Sequence, residues 1–340
     1  MARSHRCCCL VALVVSVLGV CAVGQTIENK TPLTPEVGEA FGYATARGPL
    51  ISPPSGDWVV VGVPRLTVSG VANVGNVECF PVMNTPTVVP FSIVPPAAYV
   101  QSGMRFGESV AAADVDNDGI VDIIVGAPGY DNGTRLDEGV VIIFQNPSNP
   151  FRAASNHYGW AVEIGQFSNP QEEDLPDIAV GIPDQERPVG GGGILQDAGL
   201  VQVHYGHFVL GVPTWDNTPG FFQEAGGTLY NELGRQGTAL AAADYTGDAW
   251  DDLAVGSPGA VDAQDNPLGP EGFVMIYDGT PSSGLASAGS MNEPIIRAPS
   301  RYQSSTNMFG YSLDWADTDG GGQLDLVIGA PGVTNTPYTR

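Results

Sequence analysis

The chain has 340 residues, 43% of them hydrophobic and 15% charged, and carries a formal net charge of −24 with Lys30 as its only lysine. That apolar content excludes a disordered polymer, and so acidic a balance excludes a nucleic-acid-binding surface. Its 45 glycines and 28 prolines, spread without a fixed short period, imply many turns, short strands and little helix.

Residues 1–24, MARSHRCCCLVALVVSVLGVCAVG, place Arg3 and Arg6 ahead of an apolar run from Leu10 to Val23 and end in an A-x-G pattern at Ala22 and Gly24. The stretch reads as a secretory signal. An uncleaved anchor and a bacterial lipobox at LGVC are the alternatives, the second opposed by Val20 where a small residue belongs. Each of the three predicts a secreted or cell-surface, extracytoplasmic protein. Cys7, Cys8, Cys9 and Cys21 lie in this stretch, so Cys79 is left without a disulfide partner in the mature chain. Sequons at Asn29 (NKT) and Asn132 (NGT) suit a secretory route in a eukaryotic host.

From residue 25 to 340 the chain repeats itself. Phe41-Gly42, Phe106-Gly107, Tyr158-Gly159, Leu233-Gly234 and Phe309-Gly310 each open a unit. Each unit then reaches an apolar run ending in Gly-x-Pro: WVVVGVP, DIIVGAP, DIAVGIP, DLAVGSP and DLVIGAP. The first four add a glycine-led segment: GNVECF, GVVIIF, GLVQVHY and GFVMIY. Apolar runs bounded by glycine and proline read as buried strands, and each unit has room for about four. The predicted fold is all-β, a β-propeller of four-stranded blades with neighbours on either side of each. A linear β-solenoid or tandem sandwiches are the competing readings; sandwiches give no reason for the same Gly-x-Pro turn in every unit.

Units two, four and five carry nine-residue acidic loops before the Gly-x-Pro strand: DVDNDGIVD (114–122), DYTGDAWDD (244–252) and DTDGGGQLD (317–325). Side-chain oxygens at positions one, three and five, a carbonyl at seven and a carboxylate at nine form an oxygen-only shell that suits Ca²⁺ over zinc or copper. The predicted ligands are Asp114, Asp116, Asp118, the Ile120 carbonyl and Asp122; then Asp244, Thr246, Asp248, the Trp250 carbonyl and Asp252; then Asp317, Asp319, the Gln323 carbonyl and Asp325. Gly321 supplies no side-chain oxygen at position five of the last loop. Unit three reads NPQEEDLPD (169–177), which loses the spacing and keeps Asp177. Flanking helices and a glutamate at position twelve, which an EF-hand needs, are missing, since Val125, Val255 and Ile328 stand there. Solvated acidic turns are the plainer alternative. Because the loops recur at one fold position, the cation is read as structural.

Phe-Gly, a nine-residue acidic loop and Gly-Ala-Pro together resemble the FG-GAP repeat, and the chain is similar to the N-terminal β-propeller of integrin α subunits over roughly residues 35–332. Cys79 falls where the first integrin blade has a cysteine, although the partner that the family pairs with it is missing. Unit two departs by carrying a calcium loop, which integrins keep for later blades. The resemblance implies a seven-bladed ring of which five units are present, the fifth incomplete, so the sequence reads as a fragment. It also implies cell adhesion through an extracellular protein ligand, an integrin-β-like subunit as partner, and attachment to a membrane only through a segment outside these residues. Loops following each Gly-x-Pro, GYDNGTRLDE (129–138) and DQERPVGGGGILQDA (184–198), are implied to face the ligand; Tyr130, Asp131 and Arg187 read as ordinary loop surface.

FG-GAP propellers also occur beside hydrolase domains, as in the glycosylphosphatidylinositol-specific phospholipase D family, and in carbohydrate-binding surface proteins. A secreted propeller of either kind is the alternative function. No GxSxG elbow, zincin helix or phosphate-cradling loop is present, and GGGG at 190–193 lacks a strand-to-helix context. His204 and His207 in VHYGH are a weak candidate zinc pair. Catalysis by this chain is not expected.

Overall fold

The computed structural model describes residues 40–48, 58–81, 90–117, 119–133, 136–144, 158–167, 175–189, 193–209, 212–215, 220–221, 234–259, 272–280, 284–285, 295–298 and 307–332. The leader at 1–24, Asn29, Asp118, most of the unit-three loop and Leu233 lie outside them. Among the described residues there is no helix, and every named strand pairing is antiparallel.

The first sheet is a meander of β1 (Thr45–Gly48), β2 (Trp58–Val63), β3 (Asn76–Pro81) and β4 (Phe91–Ile93). The second runs β5 (Ser109–Ala113), β6 (Asp122–Ala127) and β7 (Val140–Phe144). The third orders β8 (Ala161–Gly165), β9 (Asp177–Ile182), β12 (Leu200–His204) and β15 (Gly220–Phe221). It also carries two hairpins, β10 (Arg187–Val189) with β11 (Gly193–Leu195), and β13 (Gly206–Val209) with β14 (Val212–Trp215). The fourth is β16 (Ala239–Ala243), β17 (Asp252–Ser257), β18 (Phe273–Tyr277) and β19 (Ile295–Arg297); the fifth is β20 (Ser312–Ala316) with β21 (Asp325–Gly329).

The first strands β1, β5, β8, β16 and β20 pack one against the next in chain order, which makes the sheets the blades of a propeller. Continuous apolar runs follow from this arrangement, because both faces of the second, third and fourth blades are covered. Ile123 and Val125 of β6 pack with Trp58, Val60 and Cys79 of the first blade. Their neighbour Ile124 turns the other way, with Val141 and Ile143, toward Val162 and Val180 of the third. Two further clusters join the third blade to the fourth and the fourth to the fifth. Cys79 is buried in the first of these seams, and burial pushes its thiol up to about 12.

The motif glycines mark where one blade's backbone lies on the next. A Cβ on Gly62 would stand 2.0 Å from the carbonyl oxygen of Gly107; Gly126 meets Gly159, Gly181 meets Gly237 and Gly256 meets Gly310 at the same 2.0 Å. Within a blade, the Phe-Gly glycine donates its N–H back to the Gly-x-Pro glycine, as Gly107 does to Gly126 at 3.0 Å and Gly237 to Gly256 at 3.0 Å. The structure therefore puts Gln236-Gly237, not Leu233-Gly234, at the opening of the fourth blade.

In the first four blades the residue before the opening glycine latches onto the end of its own blade's third strand. Phe41 meets Phe80 at 6.0 Å between ring centroids and Phe106 meets Phe144 at 5.9 Å. In the third blade the pair is Tyr158 with His204, hydroxyl to Nε2, and in the fourth Gln236 donates to the Tyr277 hydroxyl at 2.8 Å. The glutamine is an amide standing in for an aromatic ring, which hides the repeat in the sequence.

Thr45, Arg47, Ala112 and Glu163 help to line a cavity of about 290 Å³ between the first strands of three blades. Burial pushes the Glu163 carboxyl up to about 8; the Ile164 N–H opposes this, and Asp314 and Asp251 add to it. An unfolded glutamate titrates near the ordinary value of 4.5. Between those two values the folded chain holds a proton that the unfolded chain has lost, so stability falls as pH rises through the window and levels off above it. Glu163→Gln is expected to flatten that slope and raise Tm most at the alkaline end. Thermal melts of both proteins from about pH 5 to about pH 9 check this; an unchanged slope in the variant overturns it.

Candidate metal centres

Each acidic loop joins a blade's first strand to its second, at the end of the propeller opposite the Phe-Gly turns. The chain has just left a buried strand and must return in an antiparallel register fixed at Ala113 with Asp122, Ala243 with Asp252 and Ala316 with Asp325. Local hydrogen bonding curls the intervening residues. Asp114 Oδ2 accepts from Gly119 N at 2.7 Å; Asp244 accepts from Gly247, Asp248 and Ala249; Asp317 accepts from Gly320 and Gly322. This is the side-chain-to-backbone turn habit of aspartate, and Gly119 takes up φ +84° to complete it.

Three acids from each of two predicted ligand sets come together. Carboxylate oxygens of Asp114, Asp116 and Asp122 lie within 4.8 Å of one another, as do those of Asp317, Asp319 and Asp325. Oxygens bound to one Ca²⁺ sit about 2.3–2.6 Å from it. Three that all fall within 4.8 Å can therefore share the ion, and an all-oxygen donor set suits a hard cation. Among the described residues the unit-four loop forms no such group of three acids. Thr246 holds the third position there, Asp244 is committed to backbone N–H groups, and Asp248 accepts from Trp250 N at 3.0 Å.

The position-nine aspartate has a structural role that sequence reasoning missed. Asp252 is fully buried; Oδ2 accepts from Tyr245 and Thr246 N at 3.0 and 2.9 Å, and Oδ1 from Gly279 N, just beyond β18, at 2.9 Å. Asp177 repeats this in the third blade, accepting from Phe167 N at 3.0 Å and Gly206 N at 2.9 Å. Asp122 and Asp325 accept from Val115 and Thr318 N, both at 3.0 Å. The carboxylate thus fastens its loop, and in the third and fourth blades it also reaches the end of the third strand. Burial pushes the Asp252 carboxyl up, and the Gly279, Thr246 and Tyr245 amides pull it back. The Thr318 hydroxyl and amide hold Asp325 below the ordinary carboxylate value. The survival of Asp177 in a loop without ligand spacing was the sequence signal for this role.

His204 is buried with its Nε2 on the Tyr158 hydroxyl, and His207 Nδ1 lies 3.4 Å from the Tyr205 carbonyl. In the Gly-x-Pro loop of the second blade the Tyr130 ring packs 5.8 Å from that of Tyr99, and the Asp131 carbonyl accepts from Gln101 at 3.0 Å.

Comparison with known proteins agrees with this architecture. The FG-GAP repeat family model matches residues 106–144 and 236–270, the second match opening at Gln236. Human phosphatidylinositol-glycan-specific phospholipase D is 28% identical over 244 residues, covering 67% of this chain and 26% of that protein. Integrin alpha-5 of Xenopus laevis is 29% identical over 249 residues, covering 69% of this chain and 21% of the integrin. Integrin alpha-V of Gallus gallus is 29% identical over 255 residues, 72% of this chain and 22% of the integrin. The chain carries FG-GAP repeats, is similar to integrin alpha over most of its length, and spans about a quarter or less of these relatives.

Proposed function

We propose that this FG-GAP propeller is an extracellular, calcium-stabilised recognition module that mediates adhesion by binding a protein ligand, in company with an integrin-β-like subunit. The similarity to integrin alpha over about 70% of the chain supports adhesion. The observation that carries the metal is the convergence of Asp114, Asp116 and Asp122 within 4.8 Å. Asp118 and the Ile120 carbonyl complete the proposed shell in the second blade, and Asp317, Asp319, the Gln323 carbonyl and Asp325 form the proposed set in the fifth. In the fourth blade Asp244, Thr246, Asp248, the Trp250 carbonyl and Asp252 form the proposed set. A bound Ca²⁺ would supply charge neutralisation to carboxylates that otherwise repel, and no step of catalysis is assigned to it.

Millimolar Ca²⁺ is expected to raise Tm by several degrees, as for any ligand that binds only the folded chain. Asp116→Ala is expected to remove part of that rise. A folded sample whose melt ignores both calcium and chelator overturns the metal assignment. For function, cells plated on the immobilised chain are expected to attach in a calcium-dependent manner. Absence of attachment, with the chain shown to be folded, counts against adhesion.

The phospholipase D similarity supports a second reading, a propeller that accompanies a hydrolase domain. Attachment that soluble sugars abolish favours a carbohydrate-binding propeller over a protein-binding one.

A further inference from the structure

We propose that Arg105, Trp160 and Arg235 form a recognition site for a carboxylate side chain of the protein ligand, at the Phe-Gly end of the second, third and fourth blades; the proposal rests on the recognition-module reading above. Arg105 and Arg235 each stand two residues before an opening glycine, Gly107 and Gly237, and Trp160 follows Gly159. Both arginines take the left-handed backbone, at φ +55° and +53°, so the two turns present them alike. The second and fourth blades flank the third. From them the Arg105 and Arg235 guanidinium carbons reach the Trp160 ring, 5.2 and 5.1 Å from its centroid. An indole face attracts such cations, so one tryptophan gathers two guanidiniums that otherwise repel each other.

The cluster presents positive charge in an acidic chain. Arg105 Nη1 pairs with Glu108 Oε1 at 3.2 Å, and Arg235 Nη2 with Asp184 Oδ1 at 3.1 Å. In both pairs the cation is the more exposed member: the Arg105 side chain is 24% exposed against 3% for Glu108, and Arg235 37% against 21% for Asp184. What meets an incoming molecule is therefore guanidinium and indole. With 37 Asp and Glu against 13 Lys and Arg in the chain, two arginines at one spot are a local exception to a surface that repels anions.

Arg235 also retains hydrogen-bonding capacity. A guanidinium carries several N–H donors in a fixed fork; Asp184 engages Nη2, and Nε has no acceptor among the described residues. Such a planar fork matches a carboxylate. The surroundings favour a protein as its carrier. Tyr43, Met308 and Tyr311, from the first and fifth blades, are exposed at the same end. The Tyr43 hydroxyl donates to Glu108, which ties the first blade's turn to the cluster. Arginine, tryptophan and tyrosine with an apolar surround are the side chains that anchor protein interfaces.

The test uses the full chain with Ca²⁺. The probes are a blocked peptide with one glutamate between two leucines and its glutamine twin, each followed by saturation-transfer NMR. The glutamate peptide is expected to bind about tenfold more tightly, the effect of one charge-assisted hydrogen bond. Arg235→Gln is expected to abolish that preference. Arg297→Gln, the same loss of charge on β19, is expected to keep it. Equal binding of the two peptides by the wild-type chain, or no binding of either, overturns the site, and this comparison needs no variant to fold. Equal losses in Arg235→Gln and Arg297→Gln also overturn it, since net charge would then be the cause. Cells plated on the immobilised chain separate the proposal from the reading beneath it. Wild type is expected to hold cells and Arg235→Gln, with a matching melt, to lose them. Attachment unchanged in Arg235→Gln overturns docking of the ligand here and leaves adhesion standing. A wild-type chain that holds no cells yet prefers the glutamate peptide overturns adhesion and leaves the carboxylate site standing.

Discussion

Gly181→Ala is expected to lose most of the stability of the chain and to yield insoluble protein. The added Cβ would lie 2.0 Å from the Gly237 carbonyl oxygen and 3.0 Å from its carbon, and both are backbone atoms that no rotamer change can move. The contact joins the third blade to the fourth at their Phe-Gly end, beside Val201 and Leu240 in the buried seam. Relief requires the blades to part or their registers to shift, a cost on the order of 3–5 kcal/mol, a large share of a domain's net stability. Gly70→Ala is the control. Its Cβ meets nothing within 4 Å, and only the +82° φ is disfavoured, which costs about 1 kcal/mol. Chemical denaturation of the two variants separates the cases. If Gly181→Ala melts no lower than Gly70→Ala, the blades are not in backbone contact as described.

Asp177→Ala is expected to destabilise the chain by roughly 2–4 kcal/mol, whether calcium is present or chelated, because it leaves the buried amides of Phe167 and Gly206 without their carboxylate. In a protein of this size that lowers Tm by roughly 3–6 °C. Asp116→Ala is expected to behave oppositely, costing little under chelation and losing stability only when calcium is added. The pair of melts distinguishes an aspartate that fastens strands from one that holds an ion. A loss for Asp177→Ala that appears only with calcium would overturn the fastening role.

Five motif repetitions made the propeller legible, because a blade covered on both faces leaves uninterrupted apolar runs such as Ile123–Val125 in the sequence. The loops were legible for a similar reason, since ligand spacing survives in Asp114, Asp116 and Asp122. The fourth blade's opening was not legible, because the position is constrained by shape and partner and not by residue type. Gln236 satisfies it through the Tyr277 hydroxyl, whereas Leu233 offered the more familiar apolar-glycine pair. The match between GESVAAAD and GTALAAAD, at 107–114 and 237–244, was the available signal. The fastening role of the position-nine aspartate was hidden because its amide partners, Gly206 and Gly279, lie 29 and 27 residues away and carry no side chain to advertise them.

The glycine contacts also govern how the ring bears a mechanical load. A tangential pull is carried in series, passing from Gly62 to Gly107, across the second blade to Gly126 and Gly159, and so on round the circumference. Links in series share one tension, so the contact that yields at the lowest force sets the strength of the whole row of blades.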